Sequence, residues 1–250
     1  MPKIYILDVT NRDGVQTAHL GLAKIEKTMI NFFLNEMGVY QSEFGFPTTR
    51  HETNYLNANL ELAEMGVLSP IRLSGWLRAI KEDVELAYEM VPGLKYLNLS
   101  ISTSDQMIHS KFQEKMSRET VIKSMVEAVE TAKACGAQGI GINAEDASRS
   151  DIDYLIEFAL AGKEAGAERF RYCDTLGYDS PFTIYERVAK IGEAIQMPIE
   201  LHCHNDLGMV VGNSLAGAKA AIDVGCDVFI NTTINGIGER AGNADLVSVI

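Results

Sequence analysis

Two histidines stand two residues apart in Leu201-His202-Cys203-His204-Asn205-Asp206, directly after the apolar run Met197-Pro198-Ile199-Glu200-Leu201. On a strand that spacing turns both imidazoles to one side and Cys203 to the other. An HxH pair at a strand end can present two nitrogens to one divalent cation. The alternative is a pair of structural histidines bonded to neighbouring strands. A metal site needs a further hard ligand, and Asp13 in Arg12-Asp13-Gly14-Val15-Gln16 is the best carboxylate for it. Two imidazoles and one carboxylate leave coordination positions for substrate and water. The set suits Mn²⁺ or Mg²⁺ first, with Zn²⁺ and Fe²⁺ as alternatives. Arg12 can stabilise an alkoxide or enolate, or bind a carboxylate. Arg78 is a second guanidinium, suited to another carboxylate of the same ligand.

A pattern repeating about every thirty residues must position these groups. Short β-branched runs begin near Ile4, Val39, Ile71, Tyr96, Gln138, Arg169, Ile199 and Val228. Helical stretches are expected near 22–37, 50–65, 80–90, 118–135, 150–165, 181–196 and 210–224. In the clearest, Val121, Met125, Ala128, Val129 and Ala132 share one face. Gly136, Gly166 and Gly225 follow helices, as C-terminal caps do. Eight strands alternating with helices in 250 residues predict a closed, parallel (β/α)8 TIM barrel. A doubly wound open sheet is the alternative. The expected organisation is one catalytic domain over residues 1–250, ending within the eighth helix, which begins near Asn243. In a barrel, the C-terminal strand ends carry the chemistry. Polar residues gather there at nearly every strand, from Asp8 to Asn243.

Bulk properties exclude other classes. A formal net charge of −12 leaves no basic footprint for nucleic acid. No run of 18 apolar residues is present, so no membrane partner is expected. Cys135, Cys173, Cys203 and Cys226 lack CxxC spacing and read as reduced thiols of a cytoplasmic protein. Gly236-Ile237-Gly238-Glu239-Arg240-Ala241 imitates a dinucleotide fingerprint. It lies too near Ile250 for the strand and acidic residue that such a site requires. Its glycines are better read as letting the backbone approach a ligand or bend into the last helix.

Three motifs then stand in order: Arg12-Asp13-Gly14-Val15-Gln16, His202-Cys203-His204-Asn205-Asp206-Leu207-Gly208, and Gly236-Ile237-Gly238-Glu239-Arg240-Ala241-Gly242-Asn243. Together with Glu145-Asp146-Ala147-Ser148-Arg149 and Asp174-Thr175-Leu176-Gly177-Tyr178, they resemble the DRE-TIM metallolyase superfamily. The nearest branch holds the homocitrate, Re-citrate and 2-isopropylmalate synthases. The resemblance implies a metal held by Asp13, His202 and His204, with Asn243 as ligand or close neighbour. It implies catalytic roles for Arg12, Glu145 and Thr175. It also implies substrate contacts from Arg12, Gln16, Arg78, His109 and Thr175. The Gly238-Glu239-Arg240 form favours synthases over the related lyases. Cys173, where carboxytransferase relatives place a lysine, argues against those. Asn11 departs from the family pattern and is expected to alter the pocket or the shell around it.

The implied reaction is a metal-dependent Claisen condensation of acetyl-CoA with a 2-oxo acid, followed by thioester hydrolysis that releases CoA, in a homodimer. Arg78, His109, Ser102, Ser104 and Glu43 form the expected pocket lining. That polar lining suits a dicarboxylic oxo acid, either oxaloacetate giving citrate or 2-oxoglutarate giving homocitrate. The alternatives are a 2-isopropylmalate-type synthase, a metal-dependent lyase or aldolase, and an incomplete barrel acting as a subunit. Family synthases carry a post-barrel segment whose histidine serves acetyl-CoA deprotonation. That segment is expected to be absent, which leaves the base unassigned.

Overall fold

The computed structural model describes residues 1–112 and 116–250. Eight strands pair in sequence order, each parallel to the next, and β8 returns to β1 to close the barrel. They are β1 Ile4–Asp8, β2 Gln41–Gly45, β3 Arg72–Arg78, β4 Tyr96–Ser102, β5 Gly139–Glu145, β6 Arg169–Asp174, β7 Ile199–Cys203 and β8 Val228–Thr232. The open-sheet alternative is thereby excluded.

Helices cover the outside: α1 Lys24–Glu36, α2 Thr53–Glu64, α3 Lys81–Met90, α4 Asp105–Lys111, α5 Arg118–Ala134, α6 Ile152–Ala165, α7 Pro181–Ile195, α8 Val210–Asp223 and α9 Leu246–Val249. The buried face of α5 is the one its spacing predicts, Val121, Met125, Ala128, Val129 and Ala132. α6 ends at Gly166, whose φ of 110° only glycine adopts without strain. Among the described residues, no helix is long and apolar enough to cross a membrane.

Two local features differ from expectation. α4 was not foreseen; its seven residues sit in a polar Ser/Thr/Asp stretch that reads as a loop, but the Ser104 hydroxyl caps it by accepting from the Met107 amide. The last helix begins at Leu246 rather than near Asn243, because Asn243 forms an isolated antiparallel bridge with His204.

The apolar core lies between strands and helices. Ile140, Ile142, Phe170, Tyr172, Leu201 and Cys203 point outward to meet helix residues such as Phe158, Ile184 and Val188. The barrel interior is unusual in being built from charges. Barrel interiors are ordinarily filled by branched aliphatic side chains. Here Arg169 pairs with Glu200 (2.6 Å), Glu200 with Arg171 (2.5 Å), Arg171 with Glu43 (2.7 Å) and Glu43 with Arg12 (2.5 Å). Asn98 donates to Glu43 and Asn231 to Glu200. The ladder rests on an aromatic layer where Tyr5 stacks on Phe229 at 4.6 Å. Isolated buried charges would be prohibitive, and this alternation makes the set tolerable.

Candidate metal centre and oxo-acid cavity

Strand alternation sends His202 and His204 into the barrel mouth and Cys203 into the helix layer, where it is 1% exposed. Asp13 arrives from the turn after β1. Its amide donates to the Val9 carbonyl at 2.8 Å, and a short 3₁₀ turn over Gly14–Gln16 follows. Because β8 alone separates β1 from β7, the three side chains meet. Asp13, His202 and His204 offer ligand atoms that all lie within 4.8 Å of one another, and all three residues are buried. Asp13 Oδ2 is 3.2 Å from His202 Nε2 and 3.8 Å from His204 Nε2.

The electrostatics suit a cation. Burial pushes the His204 pKa down to about 3, with His202 adding to the effect, so its imidazole is neutral near pH 7. Its approach to Asp13 is therefore no ion pair. Burial acts to raise Asp13, but Arg12 and the two histidines outweigh it and hold the carboxyl well below its ordinary range. Asn243 donates through Nδ2 to Asp13 Oδ1 at 2.9 Å. Its Oδ1 is buried and has no hydrogen-bond partner among the described residues. An ionised carboxylate, a neutral imidazole and an orphaned amide oxygen at one point match the donor set of a divalent cation.

The loop before Asn243 explains the dinucleotide-like glycines. A Cβ on Gly238 would collide with the Asn243 amide nitrogen and lie 3.2 Å from Asp13 Oδ1. Glycine there lets the backbone close over the ligands. Arg240 fastens the same loop, reaching Asp206 Oδ1 at 2.8 Å and the Thr175 carbonyl.

A cavity of about 220 Å³ opens over this centre. Its lining includes Arg12, Asp13, Gln16, Glu145, Thr175, His202 and His204, all singled out by sequence. Arg12 Nη1 reaches Asp13 Oδ2 at 2.7 Å, and its guanidinium lies 5.6 Å from the Trp76 ring centroid. Thr175 Oγ1 accepts from the Asp146 amide at 2.8 Å. Glu145 Oε2 accepts from Ser102 at 2.9 Å and from Lys111 at 2.8 Å.

Several expected contacts fall elsewhere. The Arg78 side chain is 66% exposed and forks onto Asp83, both bonds 2.7 Å, so it stands outside the cavity lining. Asp83 is five residues away in the first turn of α3, which makes that local pairing the easier one. His109 is exposed on α4 and does not line the cavity either. Lys111 does, because two residues along a helix turn the side chain by about 200°. Glu43 sits beneath Arg12 in the ladder, and Ser104 bonds Asp146 at 2.5 Å. Asn11 faces α1, donating to the Lys27 carbonyl and to Asn31 Oδ1, and does not reshape the cavity. Sequence reasoning missed Phe46, Trp76, Ser100, Lys111, Asn143 and Arg171 in the lining. Period-two alternation back from Glu145 would have found Asn143, and back from Thr175 would have found Arg171, on the same inner face.

Comparison with known proteins agrees with this architecture. Citrate (Re)-synthase of Dehalococcoides mccartyi is 64% identical over 250 residues, covering all of this chain and 60% of that protein. The 2-isopropylmalate synthase 2 of Caldanaerobacter subterraneus is 44% identical over 247 residues, 99% of this chain and 61% of that protein. The chain thus spans about 60% of the length of these two curated relatives. The HMG-CoA lyase of Brucella melitensis has the same fold, with a TM-score of 0.76 at 17% identity over 100% of this chain and 89% of that one. Residues 3–250 match the HMGL-like family. On its motifs, its barrel and that match, the chain belongs to the HMGL-like family, within the DRE-TIM group.

Proposed function

We propose that the protein catalyses a divalent-metal-dependent Claisen condensation of acetyl-CoA with a 2-oxo dicarboxylic acid, after which water hydrolyses the resulting thioester and releases CoA. Oxaloacetate, giving citrate, is the first choice and 2-oxoglutarate, giving homocitrate, the second. The observation that carries the reading is the convergence of Asp13, His202, His204 and Arg12 on one small cavity. The 64% identity to a citrate (Re)-synthase over the whole chain supports the choice of oxaloacetate.

In this reading Asp13, His202 and His204 hold the metal, and Asn243 joins them through its amide oxygen. A bound Mn²⁺ or Mg²⁺ supplies Lewis-acid polarisation of the ketone. Arg12 donates to the oxo-acid oxygen as negative charge develops there, from a position already fixed by Glu43 and Asp13. Thr175 and Gln16 bind the substrate carboxylate at the rim. Glu145, balanced by Lys111, faces the acetyl group. Phe46 and Trp76, edge to face at 5.7 Å, wall off one side from water. We extend the reading to a homodimer, which sedimentation of the purified protein checks.

The test is thiol release from acetyl-CoA by the Mn²⁺-loaded, full-length gene product across a panel of 2-oxo acids. Release with a dicarboxylic acid is the expected result. No release with any acid overturns the proposal, and formation of acetyl-CoA from a hydroxyacyl-CoA points instead to a lyase.

A further inference from the structure

α1 turns a polar side to the barrel. Lys27, Asn31 and Asn35, spaced four residues apart and so on one face, are buried there with Leu34. A helix packed on a core ordinarily buries its apolar stripe, and polar groups persist there only when paired. Asn31 accepts from Ser42 and donates to Asn59, and Asn35 accepts from the Ile71 amide. Lys27 does something further. Its Nζ meets Glu52 Oε1 at 2.5 Å and lies 4.6 Å from the Tyr55 ring centroid. The second carboxylate oxygen, Glu52 Oε2, accepts from the Phe46 amide at 2.9 Å. Phe46 lines the cavity over the metal ligands and packs edge to face on Trp76, whereas Lys27 and Glu52 stand outside that lining. A buried ion pair is often no more stabilising than an apolar pair of similar volume. The geometry gives this one another use, its grip on Phe46.

We infer that Glu52, balanced by Lys27, is a positioning residue that holds the Phe46–Trp76 wall in place against the bound oxo acid. The inference rests on the oxo-acid reading above. Glu52 stands at the start of α2, so its side chain is fixed by a helix and reaches back to the first residue after β2. Gly45 leaves room for that reach, since a Cβ there would lie 2.7 Å from Glu52 Oε2. Lys27 neutralises the carboxylate at a place where an unpaired charge would be costly. Take away the acceptor and the Phe46 amide loses its partner, which frees the loop and lets Phe46 leave Trp76. Arg12 keeps its own anchors, Glu43 and Asp13. The loss therefore falls on substrate binding rather than on stabilisation of developing charge. The metal centre is spared as well, because Asn11, next to Arg12 and Asp13, is tied to the Lys27 carbonyl and not to its side chain.

The test compares two double variants of the full-length, Mn²⁺-loaded protein, Lys27→Met/Glu52→Gln and Lys27→Met/Glu52→Leu. Both remove the buried charges, and only the first keeps an acceptor for the Phe46 amide. Trp76 is the one tryptophan in the 250 residues, so the wall carries its own reporter. Its signal is the part of the fluorescence missing from Trp76→Phe. In Lys27→Met/Glu52→Leu, acrylamide is expected to quench Trp76 more strongly than in the wild type. The KM for oxaloacetate in thiol release from acetyl-CoA is expected to rise about tenfold with kcat unchanged. Lys27→Met/Glu52→Gln should restore the wild-type quenching and KM. Mn²⁺ affinity, unchanged in both, reports an intact fold. Should Lys27→Met/Glu52→Leu lose it, Gly45→Ala is read in its place, since the added methyl drives Glu52 Oε2 off the Phe46 amide and should raise the quenching likewise. Wild-type quenching and KM without the acceptor, or the same change in both double variants, would overturn the inference. Absence of thiol release with any oxo acid would sink the condensation reading alone, and the quenching of Trp76 would still decide the role of Glu52.

Discussion

The Arg12 guanidinium is held from below by Glu43, Nε to Oε2 at 2.5 Å, and both residues are buried. Glu43 in turn accepts from Arg171 and Asn98, so one carboxylate joins the catalytic mouth to the charged barrel interior. Burial acts to raise the Glu43 pKa, but Arg12 and Arg171 overcome it and bring it to about 2. Glu43 is thus a positioning residue, acting through Arg12.

Glu43→Gln should cost both stability and rate. Removing one partner leaves Arg12 and Arg171 incompletely balanced, and breaking a buried pair destabilises by roughly 3–5 kcal/mol. Displacing Arg12 should lower turnover by about 100-fold. Urea unfolding and steady-state kinetics read the two effects. A variant with wild-type stability and kcat would refute the positioning role.

Asp13→Asn and His202→Ala should each weaken Mn²⁺ binding by more than tenfold, by loss of a ligand. Asn243→Ala should weaken it about 10- to 100-fold, as loss of a group that orients a ligand does. Calorimetric titration with Mn²⁺ measures all three. Unchanged stoichiometry and affinity in Asp13→Asn and His202→Ala would reject the site.

Asp8 predicts an inverted pH response. It is fully buried, and burial pushes its pKa up to about 7 despite hydrogen bonds from the Thr10 amide and hydroxyl. Unfolded, it titrates near 3.9. Between about pH 4 and 7 the folded chain keeps a proton that the unfolded chain releases, so this group's contribution to stability falls as pH rises. Glu43 acts oppositely and lower, its contribution being lost as pH falls from about 4 towards 2. Asp8→Asn should flatten the loss of stability between pH 4.5 and 7.5. Identical urea midpoint slopes in variant and wild type would exclude Asp8 as its source.

Gly238→Ala should disturb the centre without replacing a ligand. The added methyl meets the Asn243 amide nitrogen and crowds Asp13 Oδ1. Mn²⁺ affinity should fall about 10- to 100-fold, while thermal stability changes little, since the loop packs at the barrel mouth. Wild-type affinity would show that the loop yields freely.

The barrel and its metal centre were legible because both rest on short-range regularities. A thirty-residue period specifies β/α units, and the limits it implies for α1–α3 and α5–α8 fall within three residues of those observed. HxH on a strand turns two imidazoles to one face, and barrel closure makes that face the inner one and brings Asp13 to it. What the sequence by itself did not determine was partner choice among like groups. Arg78 and Arg171 both occupy inner positions of barrel strands, yet Asp83 draws Arg78 out while Glu43 and Glu200 hold Arg171 inside. His109 and Lys111 differ by two positions, and only the formation of α4 decides which lines the cavity. Ion pairing and side-chain direction depend on distances across several strands, and those exist only once the barrel has closed.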